Sequence, residues 1–320
     1  MAALRAGSNC EEKRMLRTNT KDLVEKSVIG AVTRPKLNLK NPYIIDAMGQ
    51  AHVLPGTGGI TYNVKTGDSA FDFVGDHIEP GVSISAAEMS KDISTSGGLS
   101  ILACIGNEAK IVTGDAAGLK GIVTGKHGGV EHVLLDFSSA ALEKLAVGDK
   151  IQIKAVGQGL VLRDYGKIQV MNCDPRLLQK LNISTQSKQL VVPVTHVIPS
   201  SIMGSGIGSR HSFSGDYDIQ VSDREVVQKY GLQNLRLGDL IAIRDADCRY
   251  GRSFHSGAMS IGVVVHGSCL TSGHGPGVTV IMTTVEKLIV PKIEQRANIA
   301  DYLFIGRSAR RSSPKRRRRR

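Results

Sequence analysis

The chain has 320 residues, 41% hydrophobic and 22% charged, with 36 glycines, no tryptophan and five cysteines. That length can bury a sizeable core and predicts two domains, and frequent Gly beside Val and Ile predicts strands and tight turns rather than long helices. The formal charge of +12 is local: the last fifteen residues, GRSARRSSPKRRRRR, hold nine basic residues and no acid, and removing them leaves +3 for the other 305, which argues against a basic nucleic-acid platform spread over the folded body.

No apolar run approaches the roughly 20 residues that span a bilayer, and the first residues, MAALRAGSNCEEKRM, lack the continuous apolar stretch of a secretory signal. Cys10, Cys104, Cys173, Cys248 and Cys269 are scattered with no CxxC pair, which predicts reduced thiols and a cytoplasmic location. Residues 1–14 read as an N-terminal extension. Residues 307–320 read as a disordered basic tail, touching nucleic acid only nonspecifically through its charge.

Patterned sequence begins after Met15. Residues 28–32 (VIGAV) predict a first strand, stopped by Pro35, and the turn at 55–59 (PGTGG) leads into the β-type run at 60–64. The segment 75–82 (GDHIEPGV) is a polar cluster in which Asp76, His77 and Glu79 carry metal-ligating atoms, although a solvated turn uses the same residue types. Residues 101–105 and 109–112 read as strands. GDAAGLKGIVTGKH at 114–127 is similar to the glycine-turn motif of small SH3-like barrels. Residues 133–137 continue that sheet, 138–145 read as a short helix capped by Ser138 or Ser139, and 148–155 closes the unit as a strand. With no acid cluster beside them in sequence, His127 and His132 read as surface or turn residues.

GDKIQIKA at 148–155 is echoed by GDLIAIRD at 238–245. Asp174 with Pro175 opens one helix, and Ser222 or Asp223 caps another over 224–230 that Gly231 ends. The fold class expected is mainly β, with barrel- or sandwich-like units and a few short helices, in a two-domain α+β arrangement. An N-terminal β-rich domain over 15–170 would be followed by a C-terminal one over 171–306.

The candidate chemistry concentrates in the second half. GSGIGS at 204–209 offers successive amides at Gly204, Ser205, Gly206 and Gly208 as an anion nest, while the absence of a βαβ context argues against a dinucleotide site. Asp216 and Asp218 are i, i+2, so an extended chain puts both carboxylates on one face. Two like charges there need a cation, an arginine or a proton between them. Strands at 240–244 and 259–266 bracket Asp245, Asp247, Tyr250, Arg252 and His255, and a third at 278–284 follows Gly273-His274-Gly275-Pro276-Gly277. Arg252 can clamp a carboxylate or phosphate, or pair with Asp247. His266 closes an apolar run, His274 sits between glycines where a packing role is hard to assign, and His255 reads as an exposed loop residue. Imidazoles with carboxylates suit Zn²⁺, Mn²⁺ or Fe²⁺, and no HExxH, GxSxG or Walker pattern occurs. The candidate metal ligands are Asp76, His77, Asp216, Asp218 and His266. Asp247, His274 and Arg252 are the candidate catalytic residues, and Gly204, Ser205, Gly206, Gly208 and Tyr250 the candidate ligand contacts.

GSGIGS, GDYDIQ, LRLGDLIAIRDAD, YGR, IGVVVH and GHGPGV, with GDHIEPGVS at 75–83 and GDAAGLKGIVTGKHGG, together resemble the bacterial and archaeal family called domain of unknown function 4438, over about residues 15–306. The resemblance implies a mostly β, two-part protein and carries no known reaction. A distant analogy extends to acetamidase/formamidase-type β proteins, which also combine GD-strand turns with acid- and histidine-rich glycine loops. Two functional expectations follow from the residues. One is a metal-dependent enzyme of hydrolase or lyase type acting on a small polar or carboxylate-bearing molecule. The other is a noncatalytic small-ligand-binding or homo-oligomeric structural protein. A small-molecule ligand and a homo-oligomer are the expected partners, with no membrane.

Overall fold

The computed structural model describes residues 15–37, 42–87, 89 and 96–311. The extension 1–14, with Cys10, and residues 312–320 of the basic tail lie outside the described residues.

Six antiparallel strands close into a barrel in the first half. In barrel order they are Lys26–Val32, Lys150–Ala155, Glu108–Ile111, Lys120–His127, His132–Asp136 and Gly81–Ser85. The last pairs back to the first through Ala31↔Ser85 and Val32↔Ile84. Strict alternation explains the closure: Lys150–Ala155 switches between exposed and buried at every residue. Ile151, Ile153 and Ala155 therefore enter the interior, where they join Val82, Ile84, Ile111, Val123 and Leu135. Burying each such large side chain stabilises by about 1.5–3 kcal/mol relative to exposure.

The second half is a mixed sheet in the order Gln169–Val170, Gly277–Thr284, Ser253–Val264, Leu240–Asp247 and His196–Pro199, with the short strand Tyr217–Asp218 added beside Gly277–Thr284. A three-stranded sheet of Ser184–Gln186, Gln189–Val194 and Ile289–Ile293 accompanies it. The protein is mostly β with short helices, as the composition predicts. No helix among the described residues is long and apolar enough to cross a membrane.

The two halves meet along the barrel strand Lys120–His127. A bulge between Val123 and Gly125 presents Gly125 to Val265, whose Cγ1 lies 2.4 Å from where a Cβ would sit. Next to it, Thr279 Oγ1 donates to Lys126 O at 3.0 Å. Lys126 is fully buried and its ammonium donates to Asn172 Oδ1 and Phe213 O, both at 2.7 Å. This seam carries the next residue, His127, to the edge of the second half.

The GD echo is structural. Asp149 and Asp239 each follow a glycine with φ near +90°, and each carboxylate takes the amide three residues back, Ala146 and Arg236, at 2.9 Å. Lys65–Asp68 repeats the device, with Lys65 N donating to Asp68 Oδ2 at 2.9 Å after the same left-handed glycine, Gly67. Asp68 also receives Arg307, whose Nη2 lies 2.7 Å from Oδ2. Residues 307–311, expected in the tail, thus form a 3-10 segment over Gly306–Arg311 anchored on the body. Residues 101–105 are not a strand: Ser96–Leu102 is a helix, and Cys104 N turns onto Asn107 Oδ1 at 2.8 Å. Tertiary packing overrides the apolar run there, since Leu99 sits against Gly30 of the barrel. Helix caps fall at Ser138, Asp174 and Asp223.

Candidate metal centre

Four histidines and two aspartates converge where the halves meet. His127 ends the barrel strand Lys120–His127, and His77 lies in the loop before Gly81–Ser85 with φ of 53°. Asp218 lies on the short strand Tyr217–Asp218 that pairs with Val278 and Gly277, and Asp216 immediately precedes it. His266 follows Ser253–Val264, and His274 stands in the glycine loop before Gly277–Thr284. Ring centroids lie 4.1 Å apart for His127 and His266, 5.1 Å for His77 and His266, and 5.4 Å for His77 and His274.

Each of the four rings has its Nδ1 against an oxygen. His127 Nδ1 lies 2.6 Å from Glu79 Oε1 and His77 Nδ1 2.8 Å from Asp76 Oδ2. His266 Nδ1 lies 2.9 Å from Gly267 O, and His274 Nδ1 3.2 Å from Ser272 O. A neutral imidazole that donates through Nδ1 keeps its lone pair on Nε2. Metal-ligating histidines are fixed in this way, by an oxygen behind the ring.

The free nitrogens meet carboxylates. His266 Nε2 is 2.8 Å from Asp216 Oδ2 and 3.5 Å from Asp218 Oδ1, and His77 Nε2 is 3.6 Å from Asp218 Oδ2. His266 Nε2 and Asp216 Oδ2 are both buried without a partner in hydrogen-bond geometry. A buried polar atom left this way costs about 1–3 kcal/mol, so the contact needs a cation. Without a metal ion, a proton fills the role. Burial pushes the His266 imidazole down, but Asp216 outweighs it and raises the group to about 10. His77 follows the same pattern, with Asp218 and Asp76 overcoming burial and raising it to about 12. Asp216 is held below the usual carboxylate range by His266 and His127, against its burial. Asp76 falls to about 2, its burial outweighed by His77.

Donor chemistry and spacing fit divalent ions. His127, Asp216 and His266 offer ligand atoms within 4.8 Å of one another, as do His77, Asp218 and His274, and so do Asp76, His77 and Cys269. Bonds of about 2.0–2.2 Å to nitrogen and oxygen require separations of that order. Gly277 keeps the space open: a Cβ there would stand 1.9 Å from Asp216 Oδ2 and 2.1 Å from His266 Nε2.

His127 and His132 are not the surface residues expected. They are cross-strand partners at the end of one hairpin, buried on either side of Glu79. His132 Nδ1 lies 2.9 Å from Glu79 Oε1, and Glu79 Oε2 also accepts from Gly58 N at 2.7 Å and Ser83 Oγ at 2.5 Å. The acid that contacts them, Glu79, comes from 48 and 53 residues away. One signal was available: two histidines flanking a four-residue turn face each other across the hairpin.

The cavity beside the centre has a volume of about 330 Å³ and is lined by His77, His127, Asp216, Asp218, His274 and Arg252, among others. Arg252 is buried and donates to Gly206 O at 3.3 Å and His211 O at 3.2 Å. Among the described residues it forms no ion pair, with Asp247 or any other acid. Ser205 and Gly206 also line the cavity, but the loop is not an anion nest. The amides of Gly204, Ser205, Ile207, Gly208 and Ser209 already donate, to Asp218 O, Gly273 O, Gly204 O, Arg252 O and Gly206 O. Asp247 and Tyr250 lie elsewhere. Asp247 takes Arg249 in a two-pronged pair at 3.0 and 2.9 Å, and Tyr250 is 84% exposed. Asp245 sits in a bulge with φ of 60° and accepts from Gly257 N. His255 lies exposed on the strand Ser253–Val264 rather than in a loop.

Family models described as "Domain of unknown function (DUF4438), N-terminal" and "Domain of unknown function (DUF4438), C-terminal" match residues 43–179 and 180–303. A solved structure titled "Crystal structure of TM1086" is 49% identical, with a TM-score of 0.85, covering 90% of this chain and 99% of that one. No curated protein matches the chain. The chain belongs to the DUF4438 family.

Proposed function

We propose that this DUF4438 protein is a divalent-metal-dependent enzyme, of hydrolase or lyase type, acting on a small molecule that carries an anionic group. The observation that carries the reading is the buried contact of His266 Nε2 with Asp216 Oδ2, 2.8 Å apart and outside regular hydrogen-bond geometry. When bound, a divalent ion there supplies Lewis acidity toward a carbonyl or phosphoryl oxygen. His127, Asp216 and His266 would hold it, with Glu79 fixing the His127 ring from behind.

Arg252 orients the substrate's anion, because its buried guanidinium lines the cavity, lies over the Tyr217 ring and donates hydrogen bonds to carbonyls, with no ion pair among the described residues. His274 stands half-buried at the cavity wall. In a hydrolysis the water oxygen bonds to the substrate's acyl carbon or phosphorus, the bond to the leaving group breaks, and the water's proton passes to that leaving group. The buried free thiols Cys104, Cys173, Cys248 and Cys269 suit a reducing compartment.

Elemental analysis of the purified chain, followed by melting with and without a chelator, tests the reading. Retained Zn, Mn or Fe and a melting temperature lowered by chelation are expected. A metal-free protein that none of these ions stabilises would refute it.

A further inference from the structure

We infer that the centre takes two divalent cations, one on His127, Asp216 and His266 and the other on His77, Asp218 and His274. This rests on the metal-dependent reading above and deepens it.

Of the three groups of close donor atoms, two share no residue: His127, Asp216 and His266, and His77, Asp218 and His274. Each triad keeps its ligand atoms within 4.8 Å, near the limit of about 4.4 Å that bonds of 2.0–2.2 Å to a single ion set for opposite donors. Each triad is also supported separately. Glu79 and the Gly267 carbonyl stand behind His127 and His266, and Gly128 N fixes Asp216 at 2.7 Å. Asp76 and the Ser272 carbonyl stand behind His77 and His274, and Gly275 N reaches Asp218 at 3.4 Å.

Asp218 links the two. Its Oδ1 lies 3.5 Å from His266 Nε2 in one triad and its Oδ2 lies 3.6 Å from His77 Nε2 in the other. A carboxylate with one oxygen toward each set has the placement of a bridge between paired ions, which in two-metal enzymes stand about 3.5–4 Å apart. Charge agrees: Asp76, Glu79, Asp216 and Asp218 are all buried, an acidic lining that cations stabilise in the interior.

Mn²⁺ titrated into the chelator-stripped full chain, followed by equilibrium binding and electron paramagnetic resonance, tests this. The wild type is expected to bind two Mn²⁺ per chain with a spin-coupled spectrum. The His274→Ala chain should bind one, with the signal of an isolated ion. His274 is half-buried in a loop, so its loss should leave the fold intact. Asp218→Asn is the second variant, expected to abolish the coupling. One ion per chain in the wild type overturns the two-ion inference and leaves the metal reading standing, whereas none overturns both. Two coupled ions in His274→Ala overturn the assignment of ligands.

Discussion

His266 Nε2 and Asp216 Oδ2 face each other at 2.8 Å in the interior, outside regular hydrogen-bond geometry, and whatever cation sits there sets the protein's response to pH. In metal-free protein that cation is a proton, and His266 is raised from 6.5 to about 10. A raised histidine gives stability that is fully present below its unfolded value, about 6.5, and is lost as pH rises through the folded one. Chelated protein should therefore melt at progressively lower temperature as pH rises from 6.5 to 8. Metal-loaded protein should gain relative to it over the same interval, because the ion must displace protons and binds more tightly as pH rises. Melting curves with and without chelator across this window give both trends, and parallel curves would contradict the linkage.

Glu79 positions His127 through a 2.6 Å contact and does not line the cavity. Glu79→Gln keeps the shape but removes the charge that fixes the Nδ1 proton, and should weaken ion affinity by about 10–100-fold. Competition against a chelator of known affinity measures it. An unchanged affinity would make Glu79 purely structural.

Gly277→Ala drives a methyl between Asp216 and His266. A cost of about 1–3 kcal/mol from overpacking and loss of the ion on the first triad are expected, read by melting and metal content. Gly98→Ala is the control, because nothing lies within 4 Å of its added Cβ in the helix Ser96–Leu102. It should keep the wild-type metal content.

Arg252→Lys retains charge but loses the planar fork. Metal content should stay at the wild-type level, while stabilisation of the loaded protein by phosphate or oxalate falls by about tenfold in apparent affinity. Equal anion binding by both proteins would remove Arg252 from substrate recognition.

Much of the β architecture is legible in the sequence, because alternation in 150–155 and the Gly-Asp turns are local signals. Residues 101–105 mislead, since the chain there finishes the helix Ser96–Leu102, which packs through Leu99 on Gly30, and then turns at Cys104. The centre is legible only in part. Asp216 and Asp218 declare themselves by spacing on an extended chain, and His274 by its glycine neighbours. Asp245 and Asp247 show the same spacing, but a bulge and the adjacent Arg249 take them out of it. His127, His132 and Glu79 depend on contacts across about fifty residues. Local reading has no access to that pairing.

Diffraction from crystals grown with Mn²⁺ or Zn²⁺, recorded at the metal's absorption edge, tests the central claim most directly. Anomalous density is expected between His266 Nε2 and Asp216 Oδ2, within about 2.0–2.2 Å of each, with a second peak beside His77, Asp218 and His274. No anomalous density there, with His266 and Asp216 still in contact, would contradict the claim.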